Sequence, residues 1–262
     1  MIHDCAISDR FVIVLDLPVT FSKGAALLGH PFPYRWNERH VARVGLLGRE
    51  GRAEDIVWCP VSPCYVFHTV NAYDAEDGTV VLDVIVYDRM FSDSLVGPDS
   101  RRGGLERWLI DPATKCVTRI VIDPTLQEFP RQDERRFGSR YRYAYTIGLT
   151  GHFLGARLFK HDMATGVRQT HDFGKARHPG EFVFVPASAD AAEDEGWLMG
   201  LVTDAESDTT ALVILDAQDF EGSELASIHI PHRVPPGFHG NWVAKGDERP
   251  VSNNEAIENE TL

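Results

Sequence analysis

The sequence predicts an all-β fold, and three observations carry that expectation. Apolar, β-branched runs end in turn residues, Gly (22) and Pro (15) punctuate the chain at short intervals, and one hairpin recurs. Taken in order, strands are expected over residues 11–15 (FVIVL), 67–73 (FHTVNAY), 79–87 (TVVLDVIVY) and 117–122. They continue over 181–186, 197–202, 211–215 (ALVIL) and 226–230. No stretch holds a sustained i, i+3, i+4, i+7 apolar face, so the one helix expected is short, over residues 89–95.

The recurring unit places an Asp after an apolar strand, then a turn, then a second strand. It occurs at Asp111, Asp162 and Asp216, which are 51 and 54 residues apart. A hairpin repeating at roughly 50 residues is the sequence mark of propeller blades. A second hairpin is offset from the first. Residues 67–73 turn through Asp77-Gly78 into 79–87, and residues 181–186 turn through Glu195-Gly196 into 197–202. Both turns are read as tight ones in which Gly supplies a positive φ. At this repeat, 262 residues make four to five blades, with a remainder at the end. Residues 245–262 hold five acids, two bases and few apolar side chains, so residues 244–262 are expected to form a disordered acidic tail after a propeller unit over 1–243.

The formal net charge of −13 argues against nucleic acid, whose non-specific affinity comes from Lys and Arg on phosphates, and against an anionic membrane surface. No apolar run reaches the ~20 residues of a membrane span. Four cysteines (Cys5, Cys59, Cys64, Cys116) make no CxxC pair and are read as free thiols of a cytoplasmic protein. The Arg131–Arg142 run alternates with acids and aromatics and is read as a solvated strand face; Trp197 is read as core.

None of the eleven histidines belongs to HExxH or to a zinc-finger spacing, and no Walker A, GxGxxG or GxSxG motif occurs. A propeller can nonetheless bring residues distant in sequence to its axis. His3 before a strand, His68 within one and His239 in PGFHG occupy such contexts, and spacing alone leaves each of them a structural histidine.

Six segments, in order, change that reading. Residues 2–18 (IHDCAISDRFVIVLDLP) resemble the HDFAIT…YVIFLDLP segment of the carotenoid cleavage oxygenases. Residues 67–74 are similar to HxxNAYE, with Asp74 in place of the last Glu; residues 128–131 match EFPR. Residues 180–186 are similar to GEPxFVP, 193–196 (EDEG) to EDDG, and 237–240 match GFHG.

The resemblance implies a seven-bladed β-propeller of the carotenoid oxygenase type with four axial histidines on a non-haem Fe(II). His3, His68 and His239 match the second, third and fourth ligands. Glu128 and Glu193 match two glutamates that accept the Nδ1 protons of His68 and His239, fixing the tautomer. The family's first histidine, the glutamate partner of His3 and the first blades match nothing here. His30 and His40 follow the second-ligand segment and are excluded by order. The chain is therefore expected to be the C-terminal part of such an enzyme, an incomplete propeller of four to five blades. The implied reaction is cleavage of a conjugated C=C bond of a carotenoid, apocarotenoid or stilbene by O2, giving two carbonyls. Two rivals stand beside it: an inert propeller fragment acting as a binding module, and a propeller hydrolase whose axial Ca²⁺ would call for Asp, Asn and Glu rather than histidines.

Overall fold

The computed structural model describes residues 1–94, 100, 102–150, 153–235 and 238–244. Eighteen strands follow one another in the described residues, sixteen of them in four antiparallel four-stranded sheets. Blade I holds β1 (Cys5–Ile7) and β2 (Phe11–Asp16), then β5 (Arg43–Gly48) and β6 (Val57–Pro60). Between them a two-stranded excursion, β3 (Val19–Phe21) and β4 (Tyr34–Trp36), carries the helix α1 (Lys23–Leu27). Blade II holds β7 (Tyr65–Asp74), β8 (Val80–Tyr87), β9 (Gly103–Asp111) and β10 (Cys116–Asp123). Blade III holds β11 (Gln127–Gln132), β12 (Tyr143–Thr150), β13 (Phe153–Asp162) and β14 (Arg168–Asp172). Blade IV holds β15 (Arg177–Pro186), β16 (Gly196–Asp204), β17 (Thr209–Asp216) and β18 (Ala226–Ile230). The first strand of each sheet touches the first strand of the next, β1 on β7, β7 on β11 and β11 on β15. These four are the inner strands, and the blades fan outward from them.

The repeat is explained by its turns. Asp111, Asp162 and Asp216 each end the third strand of a blade. Each Oδ1 accepts the N–H groups two and three residues on, at 2.8–3.4 Å. Such Asx turns mark the return to the outer strand. Gly78 has φ +89° as a tight turn requires, but Gly196 is Gly for another reason: a Cβ there would lie 2.2 Å from the Val185 carbonyl oxygen. The helix expected over 89–95 is absent among its described residues, 89–94. Phe91 sits at φ +54°, which no α-helix accommodates. Helix α1 starts instead at Ser22, whose side chain accepts the Ala25 N–H at 3.3 Å.

Burial follows each blade's place in the stack. Every residue of β8 is buried, because blade II lies between blades I and III. Strand β16, with apolar residues on both faces, is covered on one face alone, leaving Trp197 40% and Leu201 36% exposed, so Trp197 is not core among the described residues. Polar ties join neighbouring blades. Asp83, fully buried, takes two hydrogen bonds from Arg107 (2.8 and 2.9 Å) and one from the Tyr141 hydroxyl of the next blade (2.7 Å). Asn71 donates to the carbonyls of Arg136 and Ser139 and accepts from Gly138 N. The acidic tail expected over 244–262 falls, beyond residue 244, outside the described residues.

Candidate metal centre

The inner strands are not regular where the expected site residues stand. In β7, residues 67 and 68 oppose Ile85 alone; in β11, residues 129 and 130 oppose Thr146 alone; in β15, residues 180 and 181 oppose Leu201 alone. Each is a β-bulge, which turns a side chain out of the alternation of its strand. His68 and Glu181 lie within such bulges, and Glu128 lies immediately before one, where Phe129 adopts φ +53°. Residues from four blades thereby meet at one place.

The structure brings His3, His68 and His239 together. The His3 and His68 ring centres are 5.0 Å apart at 85°, and those of His68 and His239 are 4.9 Å apart at 81°. Two imidazoles at right angles on one metal, each with nitrogen about 2.1 Å from it, place their centres about 4.6 Å apart. All three Nδ1 atoms face oxygen. His68 donates to Glu128 Oε2 at 2.5 Å, His3 donates to the Phe67 carbonyl at 3.0 Å, and His239 approaches Glu181 Oε2 at 3.4 Å. That leaves the Nε2 atoms for a ligand, and His68 Nε2 is buried without a hydrogen-bond partner. A buried nitrogen with nothing to bond is costly, and a metal ion is the partner such a donor set suits. Among the described residues, His, Cys, Asp and Glu side chains form no ready-made group of three or more metal donors. The three rings are gathered but not closed, with His239 half exposed.

Electrostatics favour a cation here. Burial acts to lower the His68 pKa, but the Glu128 hydrogen bond and charge, with Asp4 and Glu181, outweigh it and raise the pKa above its ordinary value. For His3, desolvation and then the neighbouring His68 lower it. Phe67, Phe129 and Phe238 supply apolar surface, with Phe129 5.6 Å from the His68 ring and 5.8 Å from that of His239.

Glu128 stands where the sequence places it, beside His68. Glu193 does not stand beside His239. Its carboxylate accepts the backbone N–H groups of Arg142 (2.5 Å) and Tyr143 (2.8 Å), stapling blade IV to blade III. The physical reason is its location in the β15–β16 hairpin rather than on an inner strand. The neighbouring acids of that turn are spent likewise, Asp194 on Lys160 and Glu195 on Ala192 N. The carboxylate beside His239 is Glu181 of the GEFVFVP segment. It is 3% exposed and also accepts from Gly240 N at 2.9 Å. Its position in a bulged inner strand, as for His68, is what aims it at the site, and that bulge leaves no mark in the sequence. Arg131 is also no solvated residue, since it faces Glu181 at 3.6 Å and Asn241 Oδ1 at 3.4 Å, pinning the segment that carries His239. Arg135 pairs with Asp133 and donates to the Ala189 carbonyl.

Comparison with known proteins places the chain in a family. The family model described as RPE65, retinal pigment epithelial membrane protein, matches residues 1–244. The chain is 38% identical to a carotenoid cleavage oxygenase of Mycobacterium tuberculosis, over 93% of this chain and 58% of that protein. It is 32% identical to the apocarotenoid-15,15'-oxygenase of Synechocystis, over 92% of this chain and 51% of that protein. It also superposes on the crystal structure of cobalt-substituted Synechocystis ACO with a TM-score of 0.84 at 30% identity, covering 94% of this chain and 53% of that one. The chain thus spans about half the length of the curated relatives it matches. Four propeller blades, three gathered histidines and a match over residues 1–244 together place the chain in the RPE65 family, the carotenoid cleavage oxygenases.

Proposed function

We propose that His3, His68 and His239 hold a non-haem Fe(II) at which O2 cleaves a conjugated carbon–carbon double bond. The substrate class is a carotenoid, an apocarotenoid or a stilbene. Both atoms of O2 enter the products, one in each carbonyl, so no further reductant is needed. The observation that carries the reading is the edge-on trio of imidazoles with every Nδ1 facing an oxygen and His68 Nε2 buried and unpartnered.

When bound, the iron supplies the electron exchange with dioxygen. The chain's own residues do the rest. Glu128 and Glu181 orient the rings of His68 and His239 and keep the Nδ1 protons in place, which makes the Nε2 atoms more basic. Arg131 fixes the segment bearing His239 through Asn241. Phe67 and Phe129 supply apolar surface beside the rings that favours a polyene. The similarity to an isoeugenol monooxygenase of Pseudomonas putida, 29% identical over 93% of this chain, supports the phenolic branch of the substrate class. Four free cysteines suit a reducing compartment, and we place the chain in the cytoplasm; no described helix is long and apolar enough to cross a membrane.

A second reading, an inert propeller acting as a binding module, is favoured by the absence of a closed donor group among the described residues. Anaerobic loading with Fe²⁺, followed by an apocarotenoid or a stilbene under ¹⁸O₂, separates the two. Stoichiometric iron and ¹⁸O-labelled carbonyls are expected; iron far below one per chain and no labelled product overturn the enzyme reading and leave the binding module.

A further inference from the structure

Blades I and II share no ladder hydrogen bonds, so nothing in the sheets sets how far β1 slides along β7. Yet His3 and His68 meet edge-on, and among the described residues the His3 ring hydrogen-bonds the Phe67 carbonyl and packs edge-on against the Phe67 ring, groups whose position moves with β7. Two clusters of hydrogen bonds bridge this gap: away from the rings Arg10, between β1 and β2, gives its backbone N–H to Asp74 Oδ2 (2.9 Å) and its guanidinium to the Gly78 carbonyl (2.8 Å), and the second cluster stands beside the rings. Asp4, next to His3, places Oδ2 2.8 Å from both the backbone nitrogen and the hydroxyl of Thr69, next to His68. Its Oδ1 accepts the Cys5 N–H at 2.7 Å, which locks the carboxylate to the start of β1. Residues 65 apart in sequence are thus clasped directly beside the two rings.

We propose that Asp4 is a positioning residue, whose clasp on Thr69 sets the slide of β1 against β7 and brings His3 and His68 to the spacing that a divalent metal requires. Asp4 touches neither metal nor substrate. A carboxylate is suited to the task because one oxygen accepts both Thr69 donors while the other stays on its own strand. Glu128 and Glu181 serve His68 and His239 directly, whereas His3 depends on this backbone-level tie. The inference rests on the metal reading above.

The test titrates Co²⁺ alone into the wild-type chain and into Asp4→Ala, Thr69→Val, Thr69→Ser and His68→Ala, reading the visible d–d absorption. In parallel, nuclear Overhauser effects between the His3 and His68 ring protons are recorded without metal. Asp4→Ala should weaken Co²⁺ binding about 10–100-fold and abolish the ring–ring Overhauser effect. Thr69→Val, which keeps the backbone bond, should weaken binding about 3–10-fold, and Thr69→Ser should restore it. Thr69→Val carries the test if Asp4→Ala does not fold. If His68→Ala abolishes binding while Asp4→Ala and Thr69→Val bind as the wild type does and keep the Overhauser effect, the clasp is refuted and the metal reading stands. If His68→Ala binds like the wild type, or the wild type takes up no Co²⁺, the metal reading fails and the clasp's role falls with it.

Discussion

Replacing Glu128 by Gln isolates what a buried carboxylate does for His68. Gln keeps the shape and an oxygen for the Phe129 N–H, which Glu128 Oε2 accepts at 2.6 Å, but removes the charge from a side chain 7% exposed. The hydrogen bond that this change weakens is charge-assisted and short, 2.5 Å from His68 Nδ1 to Oε2. Removal of such a support typically lowers metal affinity about 10–100-fold, equivalent to about 1.4–2.7 kcal/mol. The pH dependence moves the other way. In the metal-free chain Glu128 is the main influence holding the His68 pKa above its ordinary value, so protons compete with a metal at higher pH than at an ordinary imidazole. Without it, burial of His68 is opposed by Asp4 and Glu181 alone, the pKa falls, and competition begins at lower pH. Co²⁺ titrations between pH 5.5 and 8.5, with the His68 ring followed by NMR, should show weaker binding at pH 8 and acid release shifted downward. Unchanged affinity at pH 8 together with an unchanged His68 titration would refute the reasoning.

Glu181→Gln should weaken metal binding about 10–100-fold, whereas Glu193→Gln should leave it unchanged and lower stability by about 1–2 kcal/mol by weakening the backbone staple to Arg142 and Tyr143; metal titration and urea unfolding on both variants check the contrast. Asp83→Asn removes the charge of a fully buried carboxylate paired with the partly exposed Arg107 and weakens the Tyr141 tie, and should cost about 2–4 kcal/mol in urea unfolding. His161, buried beside Gln127 and Thr146, has its pKa pushed down to about 4 by desolvation, with Asp123 opposing and Arg168 adding to the shift. The unfolded chain takes up that proton near pH 6.5, so the His161 contribution to stability is constant above 6.5 and falls as pH drops from 6.5 towards 4, by about 2–3 kcal/mol at pH 4.5. Urea midpoints at pH 7 and 4.5 measure the drop, which should shrink by about that amount in His161→Gln.

The blade pattern was legible because its turns are chemical. Asp111, Asp162 and Asp216 each hold two backbone N–H groups, so the same residue recurs at the same point of three blades. The sites of His68 and Glu128 were legible through motif order, and the structure puts the two side chains in contact. The bulges were not, since a bulge is a mismatch between two strands and leaves no composition of its own. For that reason the sequence points to Glu193, an acid in a turn already rich in acids, rather than to Glu181 on a bulged inner strand. The helix expected over 89–95 fails on one backbone angle at Phe91, and α1 is hidden because five residues are too short for a periodic face. Trp197 sits in a strand with apolar residues on both faces, and only the stacking order of blades reveals that one of its faces lies open.

The central claim is that three imidazoles from separate blades and the segment after them converge on one metal. X-ray absorption at the cobalt edge of the Co²⁺-loaded chain tests it most directly. Three imidazole nitrogens at about 2.1 Å are expected, reduced to two in each of His3→Ala and His239→Ala, with binding lost in His68→Ala. A first shell of oxygen or sulfur with no imidazole scattering, or one that is the same in all three variants, would contradict it.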